Sequence, residues 1–126
     1  MSEGAVEAAP MVRGRAPSTA ARLARLAREA TLAVEGVGAT SAGVVGLRGT
    51  PDRGEIISGV VATALREGYE LSLYLVAEVV PLHALADRVR EAVRARVAAE
   101  LPGLTLGPIS VVFEDIAEPS SARPPR

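Results

Sequence analysis

Between Tyr69 and Val80 the chain reads YELSLYLVAEVV, and Pro81 follows at once. Side chains of an extended segment alternate between two faces, so Tyr69, Leu71, Leu73, Leu75, Ala77 and Val79 share one side. Glu70, Ser72, Tyr74, Val76, Glu78 and Val80 share the other. The first side is uniformly apolar and has to be covered. The second is mixed, so it stays partly wet or meets a partner. The chain supplies a cover directly. Pro81 suits the first position of a helix, where a missing N–H costs nothing, and Leu82, Leu85, Ala86, Val89, Val93 and Val97 then fall on one stripe ending at Leu101. Burying the larger side chains of that stripe at about 1.5–3 kcal/mol each is worth on the order of 10 kcal/mol before entropy. Surface pairs such as Glu91–Arg94 and Arg96–Glu100 add only ~0.3 kcal/mol each. Packing decides this helix. Pro102-Gly103 stops it, and residues 109–116 (ISVVFEDI) read as a closing strand, which a parallel arrangement would join through a right-handed crossover.

The segments before this unit are shorter. Pro17-Ser18-Thr19 offers a helix start with a capping hydroxyl, and Leu23, Leu26, Ala27, Ala30, Val34 and Val37 follow at helical spacing until Gly36 and Gly38 end the run. Residues 41–48 (SAGVVGLR) read as a strand, and 49–54 (GTPDRG) as a turn. Residues 55–66 fit a helical period, but Gly59, the β-branched run IISGVV and the Glu67-Gly68 connection favour a strand from about Gly59, hairpinned to the next. The expected fold is α+β: a two-layer sandwich with an N-terminal helix and a three- to four-stranded mixed sheet, in the order α-β-β-β-α-β. One domain should span 17–116. Residues 1–16 and 117–126 mix Pro, Ser, Ala, Gly and Arg without apolar periodicity and are expected to be disordered tails.

Chemistry is hard to place on this pattern. There is no cysteine, which excludes disulfides, thiolate nucleophiles and cysteine-ligated clusters. Every basic side chain is arginine, so lysine Schiff-base and P-loop chemistry are excluded as well. The single histidine, His83, has only Asp87 one turn away as a companion. Gly36-Val37-Gly38 begins like a dinucleotide fingerprint, but Ser41 stands at its third glycine. Gly43-Val44-Val45-Gly46 matches a GxxG loop by letters, without a basic residue inside. Glu114 and Asp115 are strand neighbours pointing to opposite faces, and Glu70 and Glu78 lie roughly 26 Å apart in an extended strand. No catalytic residue, cofactor or metal ligand is nominated, and the expectation is that the protein is not an enzyme.

The formal net charge of −1 gives no long-range pull toward nucleic acid or anionic lipid. No apolar run reaches the roughly 18–20 residues of a membrane span, so direct membrane insertion is not expected. Glu3 and Glu7 stand where a signal peptide would be basic and then apolar, and the expected location is the cytoplasm.

Several of these features together resemble one family. Gly59-Val60-Val61 starts a short strand, Glu67-Gly68 turns into the long Leu71–Val79 strand, and Val89, Val93 and Val97 line the helix. Pro102-Gly103-Leu104 leads into Ile109–Ile116, and Glu35-Gly36-Val37 closes the first helix. Over about residues 20–116 this pattern is similar to the alkaline shock protein family, also called the envelope stress response family. Val79-Val80-Pro81 stands where that family has a Tyr-Gly pair. The resemblance implies a non-enzymatic cytoplasmic scaffold that self-associates, gathers at the inner face of the cell membrane through a separate membrane-anchored protein, and serves cell-envelope homeostasis; the expected partner is a small membrane-anchored protein or a paralogous domain. The layout is also similar to the iron–sulfur assembly accessory domain, but Val80-Pro81 lacks that domain's cysteine, which leaves an analogy of fold. The mixed sheet face, with Ser72, Tyr74 and Val76 of the long strand and Val112 of the closing strand, is the expected surface for self-association or a partner. The alternative is a nucleic-acid-binding module resting on the helix arginines, and a ligand-binding regulatory domain is a third possibility to which no residue points.

Overall fold

The computed structural model describes residues 18–117. The tails expected at 1–16 and 117–126 fall outside those residues, apart from Ala117, whose N–H still donates to the Ala77 carbonyl at 2.7 Å. Helix α1 (Thr19–Leu32) starts where the capping signal lies: the Ser18 hydroxyl accepts from the Ala21 N–H at 3.1 Å. It buries Ala21, Leu23, Ala24, Ala27 and Ala30, and this largely small-residue face lets the helix sit close to the sheet. Six strands and a second helix follow: β1 (Val37–Thr40), β2 (Gly49–Asp52), β3 (Glu55–Ser58), β4 (Val60–Leu65), β5 (Gly68–Ala77), α2 (Leu82–Glu100) and β6 (Leu106–Ile116). The α+β sandwich read from the sequence is the observed class, with α1 first and a β-α-β ending.

Two expectations in the middle of the chain are corrected. Residues 41–48 do not form a strand, and β1 comes earlier. Gly43 and Gly46 both have left-handed backbones (φ 82° and 81°), and the Gly46 N–H donates to the Gly43 carbonyl at 3.1 Å. Together they bend Val44-Val45 into a tight turn that no strand could contain. Residues 49–54 are not one long turn either. Gly49–Asp52 and Glu55–Ser58 pair as an antiparallel hairpin that turns on Arg53-Gly54, both at positive φ. The Pro51 in β2 is tolerated because this two-stranded ribbon has free edges.

β5 is the centre of the main sheet. Its partner on one edge is β6, in parallel, so the closing strand lies beside the long strand and begins at Leu106, earlier than the sequence pattern placed it. The other edge of β5 is shared by two strands placed end to end. β4 pairs antiparallel from Leu65↔Gly68 to Val60↔Leu73, and β1 continues from Thr40↔Leu75 to Val37↔Ala77. The handover occurs at Tyr74, whose N–H donates to the Gly59 carbonyl and whose carbonyl accepts from the Ser41 N–H, both at 2.8 Å. Gly59 has φ 80°, and a Cβ there would lie 2.7 Å from both Ser41 N and Thr40 Cβ. Glycine is required.

Both helices cover the same face of this sheet. Val60, Leu71, Leu73, Leu75 and Ala77 meet Leu23 from α1 and Leu85, Val89, Val93 and Val97 from α2 in one continuous core. The apolar alternation of the long strand stops counting after Ala77, because β5 ends there and Val79 is 64% exposed. Leu73→Ala is expected to lower the unfolding free energy by about 2–5 kcal/mol, while Val79→Ala stays within about 0.5 kcal/mol, as read by urea denaturation. Gly59→Ala should cost about 1–3 kcal/mol in the same assay, through a strained backbone and crowding at the strand handover.

Candidate interaction surface

The face of β5 turned away from the helices carries Ser72, Tyr74 and Val76, all half-buried. Register places Val112 of β6 directly beside Tyr74 and Ser110 beside Ser72, and Val61 of β4 lies on the opposite flank of Ser72. The four residues named from the sequence therefore form one continuous patch, with Val112 the most open at 41% exposure. No helix crosses this face among the described residues.

The loop at 41–48 is what the sequence reading missed. Its base straps over the patch. Ser41 Oγ donates to Glu114 Oε1 at 3.0 Å, and Arg48 Nη1 makes an ion pair with Glu114 Oε2. The Arg48 guanidinium stands 4.3 Å from the centroid of the Tyr74 ring, over which it provides a cation–π contact. Three elements meet here: the loop leaving β1, the centre of β5 and the end of β6. Beyond the strap the tip points into solvent, with Val44, Val45 and Leu47 at 106%, 80% and 70% exposure. These apolar side chains stand grouped beside the half-open sheet face. The available signal was the pair of glycines bracketing two valines, which the β-branched residues disguised as a strand.

Side chains rather than strands finish much of the sheet's perimeter. Thr50 Oγ1 donates to the Val60 carbonyl at 2.7 Å and accepts from the Ala62 N–H at 3.0 Å, so one hydroxyl stands in for a neighbouring strand along β4. The Thr50 hairpin is held by Asp52, whose side chain is 2% exposed and whose Oδ2 accepts from Arg25 Nε at 2.9 Å and from Nη2. On the far edge, Arg90 Nε donates to the Ile109 carbonyl at 2.9 Å. Arg94 donates to the carbonyls of Leu106 and Gly107 at 3.1 and 2.7 Å.

The residues considered for chemistry stay apart. His83 is exposed in the first turn of α2, and among the described residues no group of His, Cys, Asp or Glu converges to hold a metal. Glu114 is taken up by Ser41 and Arg48. A cleft of about 250 Å³ between α1 and β3 is lined by Arg25, Arg28, Glu29 and Glu55 among others. Three of these four charges are engaged within the fold, Arg25 with Asp52, Arg28 with the Thr40 hydroxyl and Glu29 with Arg96. The helix arginines that suggested nucleic acid thus serve internal contacts in large part.

No family model, no curated protein and no solved structure matches this chain. The envelope-stress resemblance rests on the packing and turn residues quoted for it.

Thr50→Val keeps the shape of the side chain and removes both hydrogen bonds to β4. It should destabilise the domain by about 1–3 kcal/mol in thermal or urea unfolding, because two backbone groups lose their partner, and Thr50→Ser should recover much of the loss.

Proposed function

We propose that this domain is a non-enzymatic, self-associating scaffold of the envelope stress type, brought to the inner face of the cell membrane by a separate anchor protein. One observation carries the reading. A sheet packed by helices on a single face leaves Val61, Tyr74, Val76 and Val112 on the other, beside a loop tip that presents Val44, Val45 and Leu47.

A surface of this kind gains from burial against another protein. The packing pattern of the envelope stress family supports the assignment further, since its strand start, turn, long strand, valine-lined helix and closing strand correspond here to β4, the β4–β5 turn, β5, α2 and β6. Among the described residues no helix is long and apolar enough to cross a membrane. Membrane recruitment in this proposal therefore runs through the anchor.

Sedimentation velocity over a wide concentration range is the direct test, with a pulldown from detergent extract to find the anchor. Val76→Glu is a better probe than a charge at Tyr74, because Arg48 already lies over position 74 and would pair with it. Val76 is in register with Asp115, so a carboxylate there meets like charge in a patch that assembly would desolvate. The expected outcome is concentration-dependent association of the wild type, weakened at least several-fold by Val76→Glu, while circular dichroism shows the variant still folded. A wild type that stays monomeric at every concentration and captures no membrane protein would rule the scaffold out.

A further inference from the structure

The two edges of the main sheet are finished unequally, and the difference identifies a second contact. In β5, Tyr69 donates to the Thr105 carbonyl and Ala77 accepts from Ala117, so the odd-numbered residues of that strand turn their polar backbone groups toward β6. With Leu71 beside Ile109 and Leu73 beside Val111, parallel pairing sends those bonds to Ser110 and Val112. Ile109, Val111 and Phe113 must then direct their own N–H and C=O groups away from β5. The Ile109 carbonyl confirms the direction, since Arg90 meets it on that side.

Arg90 and Arg94 occupy the carbonyls of Leu106, Gly107 and Ile109, and Pro108 has no N–H to offer. The first half of β6 is thereby closed to a further strand. The second half is not. Among the described residues no partner meets the outward groups of Val111 and Phe113, and Val111-Val112-Phe113 is apolar on both faces of the strand. Val111 and Phe113 are half-buried at the rim of the core, and Val112 is exposed on the outer face. An open edge with apolar side chains above and below is a pairing site.

We propose that this half-edge pairs with the same segment of a second copy, antiparallel, about a two-fold axis through Val112. The inference rests on the self-association reading and names one of its contacts. The register follows from side-chain chemistry. A two-fold at Val112 sets Val112 against itself, Val111 against Phe113 of the second copy, and Glu114 against Ser110. Every facing pair is apolar or compatible, and the aromatic and β-branched partners suit a cross-strand pair. Moving the axis to Glu114 would set that carboxylate against its own copy. Moving it to Ser110 would bring the edge onto carbonyls already held by Arg90 and Arg94. An axis at Val111 would use the Ile109 carbonyl that Arg90 holds, and one at Phe113 would set Val112 against Glu114, so the register at Val112 is the one that keeps the apolar residues opposite each other.

The pairing is short and should be weak on its own, below the roughly 1,000 Å² typical of stable interfaces. It is also isologous, so it closes as a dimer, and extended assembly requires a different surface as well. The outer sheet face with Tyr74 and Val76 is available for that second role. Edge and face together would turn a dimer into an array.

Because the chain has no cysteine, disulfide trapping has no background. Val112 would be a non-hydrogen-bonded pair with itself, at a Cα separation of about 4.5 Å that a disulfide can span. Val112→Cys is expected to cross-link to a covalent dimer under mild oxidation at least tenfold faster than Thr63→Cys, which lies exposed on β4. Val111→Pro removes an outward N–H without touching the ladder to β5. It should abolish cross-linking in the Val112→Cys background while circular dichroism shows the domain still folded. Equal cross-linking at positions 63 and 112, or undiminished trapping in a folded Val111→Pro protein, would overturn the edge contact. If the wild type sediments with concentration-dependent association while Val112→Cys fails to trap, the edge is wrong and the scaffold reading stands. A wild type that never associates removes both.

Discussion

Everything in this domain is arranged around the burial of one face of β5. Leu71, Leu73, Leu75 and Ala77 are almost fully excluded from water, and they reach that state only because α1 and α2 both lie on the same side of the sheet. A strand that is dry on one side must be neither twisted out of register nor left at an edge, since a slip by one residue would turn every leucine to solvent. The structure meets this by pairing β5 along both edges. β6 runs the full length of one, and β4 and β1 divide the other. The left-handed glycine at position 59 is the consequence, because the junction between two strands has to fit beside Tyr74 where a side chain would collide.

A small three-strand-wide sheet has a large perimeter for its area, and the protein closes that perimeter mainly with side chains. Thr50 serves β4, Arg90 and Arg94 serve the start of β6, and Ser41 with Arg48 clamps Glu114 near its end. These are polar groups doing the work of missing strands. They also account for most of the arginine-rich character of the helices. Arg25 anchors the hairpin, Arg28 reaches Thr40, and Arg96 joins the two helices through Glu29. The exposed pairs among these, such as Arg96–Glu29, add little to stability individually, whereas the buried Asp52 needs its pairing with Arg25 and so fixes where the hairpin lies.

The surface left after this closure defines what the domain can do. Its outer sheet face is neither fully apolar nor polar, its loop tip is apolar and exposed, and half of one edge has no partner among the described residues. Titratable groups are dispersed or engaged with arginine. Recognition of another protein uses broad surfaces and free edges, and it is on these features that the scaffold proposal rests.

Much of the fold was legible because the two periods are local. The alternation from Tyr69 to Ala77 and the stripe from Leu85 to Val97 depend only on which positions along an element face one way, so sequence determined β5, α2, their shared core and the α+β class. The cap at Ser18 and the stop at Pro102-Gly103 are equally local. The patch of Ser72, Tyr74, Val76 and Val112 was legible for the same reason, since alternation names the second face as soon as it names the first. Tertiary structure decided the remainder. Whether Ser41–Arg48 is a strand depends on whether β5 has edge left to offer, and β1 and β4 already fill it, so the segment folds into a glycine-bounded strap instead. That Arg48 covers Tyr74, that Thr50 replaces a strand, and that arginines close one half of β6 while leaving the other open are pairings of residues far apart in sequence. No local pattern encodes them, because each exists only once the chain has brought its partner within reach.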